Sequence, residues 1–198
     1  MGEVKRGGDL DRRAVVAALL EDRRDLLVVT GLGSASYDVM AAGDHDHNYY
    51  LWAAMGSACM VGLGLATAQP ERPVAVITGD GETMMGFGAL ASIALRLPPN
   101  LTIVVLDNGH FGETGMQVSH AGSGIDLDRV AATCGFPKTG CITDMAGVND
   151  LKASLEARSG LGLYTVKVRP ENPPRVLPPR DGVYIKNRFR AALGFEPI

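Results

Sequence analysis

The sequence is poor in cysteine. Cys59, Cys134 and Cys141 are odd in number and show no C-x-x-C spacing, which argues against a disulfide scaffold or a thiolate metal site and leaves them as reduced thiols in or near the core. Positive charge is not in surplus either. A formal net charge of -3 and a pI near 5.8 provide no basic field of the kind that phosphate backbones require, so nucleic acid is not expected as a partner. No apolar run approaches the roughly 18 to 20 residues needed to span a bilayer. The N-terminal MGEVKRGGDLDRR has no apolar leader segment, and the chain reads as soluble and cytoplasmic. Internal repeats and low-complexity tracts are absent. Apolar residues are abundant, at 46% of 198 residues, enough to core one domain running from 1 to 198.

Arg12 to Leu20 has a helical apolar rhythm, and Leu26 to Thr30 is a short β-branched run ending in a glycine turn. Tyr49 to Trp52 reads as a short second strand. The small-residue stretch Met55 to Ala68, with Gly56, Gly62 and Gly64, reads as a helix packed closely on a sheet, although internal glycines weaken it. Val74 to Thr78 and Leu101 to Leu106 are continuous apolar runs of the type buried on both faces of a parallel sheet. Between them, Phe87 to Leu97 is helical and stops at Pro98 and Pro99. Asp126 caps a helix with apolar positions Leu127, Val130, Ala131 and Cys134, closed by Gly135. Val148, Leu151 and Leu155 repeat the pattern. A last strand, Leu163 to Val168, precedes a proline-rich link from Pro170 to Pro179 and a basic helix from about Val183 to Leu193. This alternation predicts an α/β fold, an open, mostly parallel sheet with helices on both faces and ligands at the carboxyl ends of its strands.

Two loops leave such ends: Gly79-Asp80-Gly81 after VAVIT, and Asp107-Asn108-Gly109-His110 after LTIVVL. Each alone reads as a tight turn. Together they can present Asp80 and Asn108 as hard oxygen ligands to one cation, which suits magnesium. The site is expected at an edge of the sheet rather than in the core.

The G-D-G…N pattern resembles the thiamine diphosphate motif. From Thr30 to Gln117 the chain is similar to the diphosphate-binding (PP) domain of sulfopyruvate decarboxylase β subunits and of phosphonopyruvate decarboxylases, through TGLGS, MGSA, GDG, GALASIA, LDNG and TGMQ, with IKNRF as a further likeness near the C-terminus. The resemblance implies that Asp80 and Asn108 give side-chain oxygens and His110 its backbone carbonyl to Mg2+, which bridges the diphosphate of thiamine diphosphate. It also implies that the backbone of Gly81, Glu82 and Thr83 contacts phosphate, aided by a helix N-terminus. Gly31 and Ser34 add contacts from the first strand's loop, and Gly79, Phe111 and Thr114 complete the cofactor surface. By the same resemblance Met55 wedges the cofactor into its bent conformation, and the carbonyl of Ala53 holds the 4'-amino group. That bend brings the 4'-nitrogen to thiazolium C2.

The family's glutamate at N1' lies in a pyrimidine-binding domain, which nothing here resembles. The implied partner is a separate α-type subunit, in a hetero-oligomer with at least two copies of each chain, acting on a small anionic 2-oxo acid. The expected function is thus a β-type subunit of a 2-oxo acid decarboxylase. A phosphonopyruvate decarboxylase-like or carboligating subunit, or a cofactor-binding subunit without turnover, are the alternatives. A nicotinamide site would need G-x-G-x-x-G, and Gly31-Leu32-Gly33-Ser34-Ala35-Ser36 lacks the third glycine. Departures from the family's usual motifs at Ser34-Ala35-Ser36, Ala53-Ala54-Met55-Gly56 and Glu113 to Gln117 lie by the expected pocket and leave the substrate open.

Other residues carry two readings each. Asp44-His45-Asp46-His47 is a solvated loop or a metal cluster, with His47 a pocket candidate. Glu113 and His120 are proton-transfer candidates near the reacting carbon or ordinary loop residues. Arg175, Arg180, Lys186, Arg188 and Arg190 form an exposed or subunit-contacting basic face, or an anion site.

Overall fold

The computed structural model describes residues 7–196, so the first six residues of the N-terminal stretch scanned for a leader lie outside the described residues. In chain order the elements are α1 (Arg12–Leu20), β1 (Leu27–Thr30), α2 (Ser34–Ala41), β2 (Asn48–Tyr50), α3 (Ala58–Ala68), β3 (Val74–Gly79), α4 (Asp80–Met85) and α5 (Gly88–Arg96). They continue with β4 (Leu101–Asp107), β5 (His110–Phe111), β6 (Gln117–Val118), α6 (Leu127–Cys134), β7 (Lys138–Ile142), α7 (Met145–Glu156), β8 (Gly162–Lys167) and α8 (Gly182–Ala192).

Six strands pair in the order β2-β1-β3-β4-β8-β7, all parallel. Alternate residues of each strand face opposite sides. Val29, Val76, Ile103 and Leu163 join one core with α3, α5 and α6, while Val28, Ala75, Val104 and Val166 join a second with α1, α2 and α7. The apolar runs of β3 and β4 are buried on both faces because helices cover both. α8 lies against β2 and sends Ile185 into one core and Phe189 into the other, covering that sheet edge.

Chain direction along the sheet reverses between β1 and β3. β1 leads outward to β2, whereas β3 leads to β4, and this is the switch point at which open α/β sheets leave a crevice. The β3–β4 register pairs Gly79 with Leu106, so the loops that follow are side by side.

Several boundaries differ from expectation. The helix read from Met55 begins at Ala58, because Ala53 (φ 75°), Ala54 (φ 57°) and Gly56 (φ 91°) take left-handed conformations that cannot continue a right-handed helix. The second strand is Asn48–Tyr50 rather than 49–52, and α2, β7 and the β5–β6 hairpin are elements that the sequence pattern does not announce. Asp126 stands at the N-cap of α6 but its side chain accepts no capping hydrogen bond. All three cysteines are free; Cys59 is buried as expected, while Cys141 is exposed on the edge strand β7. Asp80 follows a central strand and is 2% exposed, so the site is not at a sheet edge. Among the described residues no helix is long and apolar enough to cross a membrane.

Candidate functional site

A cavity of about 310 Å³ opens at the carboxyl ends of the strands, walled by the segments that follow β1, β3 and β4 and by the loop before α3. Of the expected site residues, Ser34, Met55, Gly79, Asp80, Gly81, Glu82, Asn108, His110, Phe111, Glu113 and Thr114 line it, while Gly31, Ala53 and Thr83 do not.

Asp80 begins α4, and Ser119 donates its hydroxyl to Asp80 Oδ2. Burial pushes the Asp80 carboxyl up to about 6, the nearby Asp107 adds to this, and the Ser119 bond opposes it. Ser119 is itself fixed by donating its backbone N–H to Gly109 O at 2.8 Å, which packs its loop onto the turn after β4. In that turn Asp107 Oδ1 accepts from Gly109 N and Asn108 Oδ1 from His110 N, each at 2.9 Å. Asp107 is 1% exposed and is neutralised by Lys167, from the end of β8.

The two buried carboxylates are therefore treated differently. Asp107 has an ammonium, and Asp80 has a hydroxyl. A buried carboxylate without a countercharge is costly, and with the Asn108 side chain on the same cavity the donor set fits a hard, oxygen-loving cation.

Glu82 is buried in the cavity wall. Its Oε2 accepts from Thr78 Oγ1 at 2.6 Å and its Oε1 from Gly56 N at 3.3 Å. Burial raises its pKa, against hydrogen bonds from Thr78 and from the backbone of Gly56, Ala58 and Leu32. This one carboxylate ties together the loops after β1, before α3 and after β3. Gly31 serves the arrangement by being small: a Cβ there would lie 1.6 Å from Glu82 Oε2. Thr83 is likewise behind the wall, its hydroxyl donating to Gly79 O at 2.8 Å.

Met55 is 41% exposed and projects from the left-handed loop. Gly56 crosses Gly86 so closely that a Cβ on Gly86 would be 1.9 Å from Gly56 O, which fixes the loop on the end of α4. Ala53 and Ala54, non-glycine residues at positive φ, mark this loop as held by its surroundings.

Glu113 sits on the rim. It accepts from Ser34 Oγ at 3.2 Å and pairs with Arg175 at 3.0 Å, while Arg175 lies over the Tyr37 ring at 5.7 Å. His120 is outside the cavity, its ring edge-on to Phe111 at 6.1 Å. The Asp44–His47 loop is remote from the cavity and tied to α8, with Arg188 2.6 Å from Asp44 and 3.7 Å from Asp46. No group of three or more His, Cys, Asp or Glu suited to a metal occurs among the described residues.

Sequence reasoning missed Arg12, Ser119, Lys167 and the Glu82 side chain. Arg12 lines the cavity at 6% exposure and donates through Nε to Asp38 Oδ2 at 2.5 Å. A signal for it existed, since Arg12 stands at i of the stripe Val15, Val16, Leu19 that α1 buries. Lys167 was similarly visible as a lone charge in an apolar strand. Ser119 left no pattern.

An acid and an amide presented from adjacent parallel strands to one cavity at a switch point mark a ligand-binding α/β domain. The chain belongs to a family of this kind: residues 29–161 match the thiamine pyrophosphate enzymes, C-terminal TPP binding domain. Phosphonopyruvate decarboxylase of Streptomyces viridochromogenes is 36% identical over 189 residues, which are 93% of this chain and 46% of that protein. Sulfopyruvate decarboxylase subunit beta of Methanococcus maripaludis is 32% identical over 188 residues, 93% of this chain and 98% of that one. The chain thus spans about half the length of the first relative and nearly all of the second. In fold it is like benzoylformate decarboxylase from Polynucleobacter necessarius, with a TM-score of 0.71 at 17% identity, over 88% of this chain and 36% of that one.

Proposed function

We propose that this chain is the diphosphate-binding half of a thiamine diphosphate- and magnesium-dependent enzyme that decarboxylates a small 2-oxo acid of the 3-sulfopyruvate type, releasing carbon dioxide and an aldehyde. The observation that carries this reading is the placing of Asp80 and Asn108 on adjacent strand ends above one cavity. Asp80, Asn108 and the carbonyl of His110 hold magnesium; Gly79, Gly81, Glu82, Phe111 and Thr114 shape the wall around the diphosphate. Ser119 and the backbone N–H groups of Asp80 and Gly81 orient the Asp80 carboxylate, and the Asp107–Lys167 pair steadies the turn that carries Asn108. Met55 would support the cofactor from the cavity wall, and Glu82 holds the Met55 loop through Gly56. Thiamine diphosphate, when bound, supplies the sink for the electron pair left by departing carbon dioxide. Glu113, paired with Arg175 and Ser34, fixes the rim.

The carboxylate required at N1' of the aminopyrimidine is assigned to a separate α-type chain with a pyrimidine-binding domain. Support comes from the Methanococcus relative, matched over 98% of its length and named as a subunit beta. The exposed Met55 and Met85 on the cavity wall add a surface for such a chain to cover.

The test is decarboxylation of 3-sulfopyruvate, with thiamine diphosphate and magnesium, by this chain alone and mixed with a partner carrying a pyrimidine-binding domain. Activity is expected only in the mixture. Turnover by the purified chain unaided would overturn the two-chain reading. The Streptomyces relative supports a second substrate, phosphonopyruvate, and parallel assays of the two acids decide between them.

A further inference from the structure

We infer that Arg12 is a diphosphate ligand of this site. The inference rests on the cofactor reading above and names a contact from a helix outside its motif. Among the described residues, Arg12 is the only Lys or Arg on the cavity wall, which otherwise carries the carboxylates of Asp80, Glu82 and Glu113. A magnesium dication that counts Asp80 among its ligands does not cancel a diphosphate, so the bound group stays anionic in a buried site. A fixed cation beside it lowers that cost.

Arg12 is placed for this from α1. It is 6% exposed, and its one hydrogen bond to a described residue is from Nε to Asp38. The terminal nitrogens of the guanidinium have no acceptor among the described residues, and Arg12 lines the cavity. A bidentate pair with Asp38 would have used a terminal nitrogen; this one leaves the fork free for phosphate oxygens. Arg13 Nε lies 3.6 Å from the other oxygen of Asp38, so Asp38 does not consume all of the positive charge.

Ser34 and Ala35, in the first turn of α2, line the same cavity. The N-cap is Gly33, at φ 85° with no side-chain cap, and the carboxylate beside it is Glu113, which accepts from Ser34 Oγ at 3.2 Å and pairs with Arg175. Asp38 lies in the middle of the same helix, and its bond to Arg12 holds the guanidinium against α2.

The test uses inorganic pyrophosphate with magnesium, titrated calorimetrically into the full chain, alone and assembled with its partner. Arg12→Met paired with Asp38→Asn removes the ion pair without orphaning a buried carboxylate, and Arg12→Lys keeps the charge without the fork. The double variant is expected to melt near the wild-type temperature and to bind magnesium pyrophosphate roughly ten- to a hundredfold more weakly. The lysine variant should fall between. Unchanged pyrophosphate affinity in the double variant overturns the inference, as does unchanged affinity with a raised KM for the 2-oxo acid, which would put the substrate on Arg12. Wild-type protein that binds neither magnesium pyrophosphate nor thiamine diphosphate in either state overturns the cofactor reading itself.

Discussion

Replacing Lys167 with methionine tests how the turn after β4 is held. Lys167 has a side-chain exposure of 16% and its partner Asp107 of 2%. Burial opposes the Lys167 ammonium, but the hydrogen bond and charge of Asp107 outweigh it and raise its pKa above the ordinary lysine value. A raised lysine pKa contributes stability that is fully present below the unfolded value and is lost only as pH climbs through the folded one, so the ion pair is intact at neutral pH. Methionine keeps most of the packing and strands Asp107 as a buried charge. Breaking such a pair costs about 3–5 kcal/mol, and the partial exposure of Lys167 places the loss near the lower end. At about 2–4 °C per kcal/mol for a chain of this size, the melting temperature should fall by roughly 6–12 °C. Adding Asp107→Asn removes the stranded charge and keeps an acceptor for Gly109 N, so the double variant should recover to within about 1 kcal/mol of wild type. Urea unfolding at pH 7.5 measures all three. A loss under about 1 kcal/mol in the single variant, or a double variant no more stable than the single, would refute the reasoning.

Asp80→Ala and Asn108→Ala should each weaken magnesium-dependent binding of thiamine diphosphate at least roughly tenfold, the loss typical of even an outer-sphere partner. Calorimetry on the assembled complex reads it, and unchanged affinity in both variants removes the motif assignment. Although Asp80 is buried, its replacement should not unfold the metal-free chain, because it removes a carboxylate met by nothing stronger than the Ser119 hydroxyl. Met55→Ala should change stability by less than about 1 kcal/mol, its side chain being partly exposed, yet lower turnover more than cofactor affinity; wild-type turnover would show that Met55 does not hold the bend.

The strongly periodic parts of the fold were legible. α1 was bounded from its sequence, and the runs of β3 and β4 announced a parallel sheet because strands covered on both faces need no polar side. The Asp80 and Asn108 loops were legible for a related reason, since carboxyl-end turns in such a sheet are local in sequence and carry their own residue signature. β7 was not legible. Its KTGCI is an edge strand with exposed positions, and nothing local separates it from a loop until β8 offers hydrogen bonds.

The sequence by itself determined which residues the cavity would collect from the strand ends: Gly79, Asp80 and Gly81 after one apolar run, Asn108 and His110 after the next. Only tertiary structure decided which of those side chains face the cavity and what holds them. Gly31 and Thr83 turned out to back the wall, because the space beside Gly31 is taken by the Glu82 carboxylate and the Thr83 hydroxyl is spent on Gly79 O. Ser119 reaches Asp80, Lys167 reaches Asp107 and Arg12 reaches Asp38 across separations of 39, 60 and 26 residues. Buried charges must find partners wherever packing brings them, and adjacency of that kind is set by strand order and register, which no local stretch of sequence encodes.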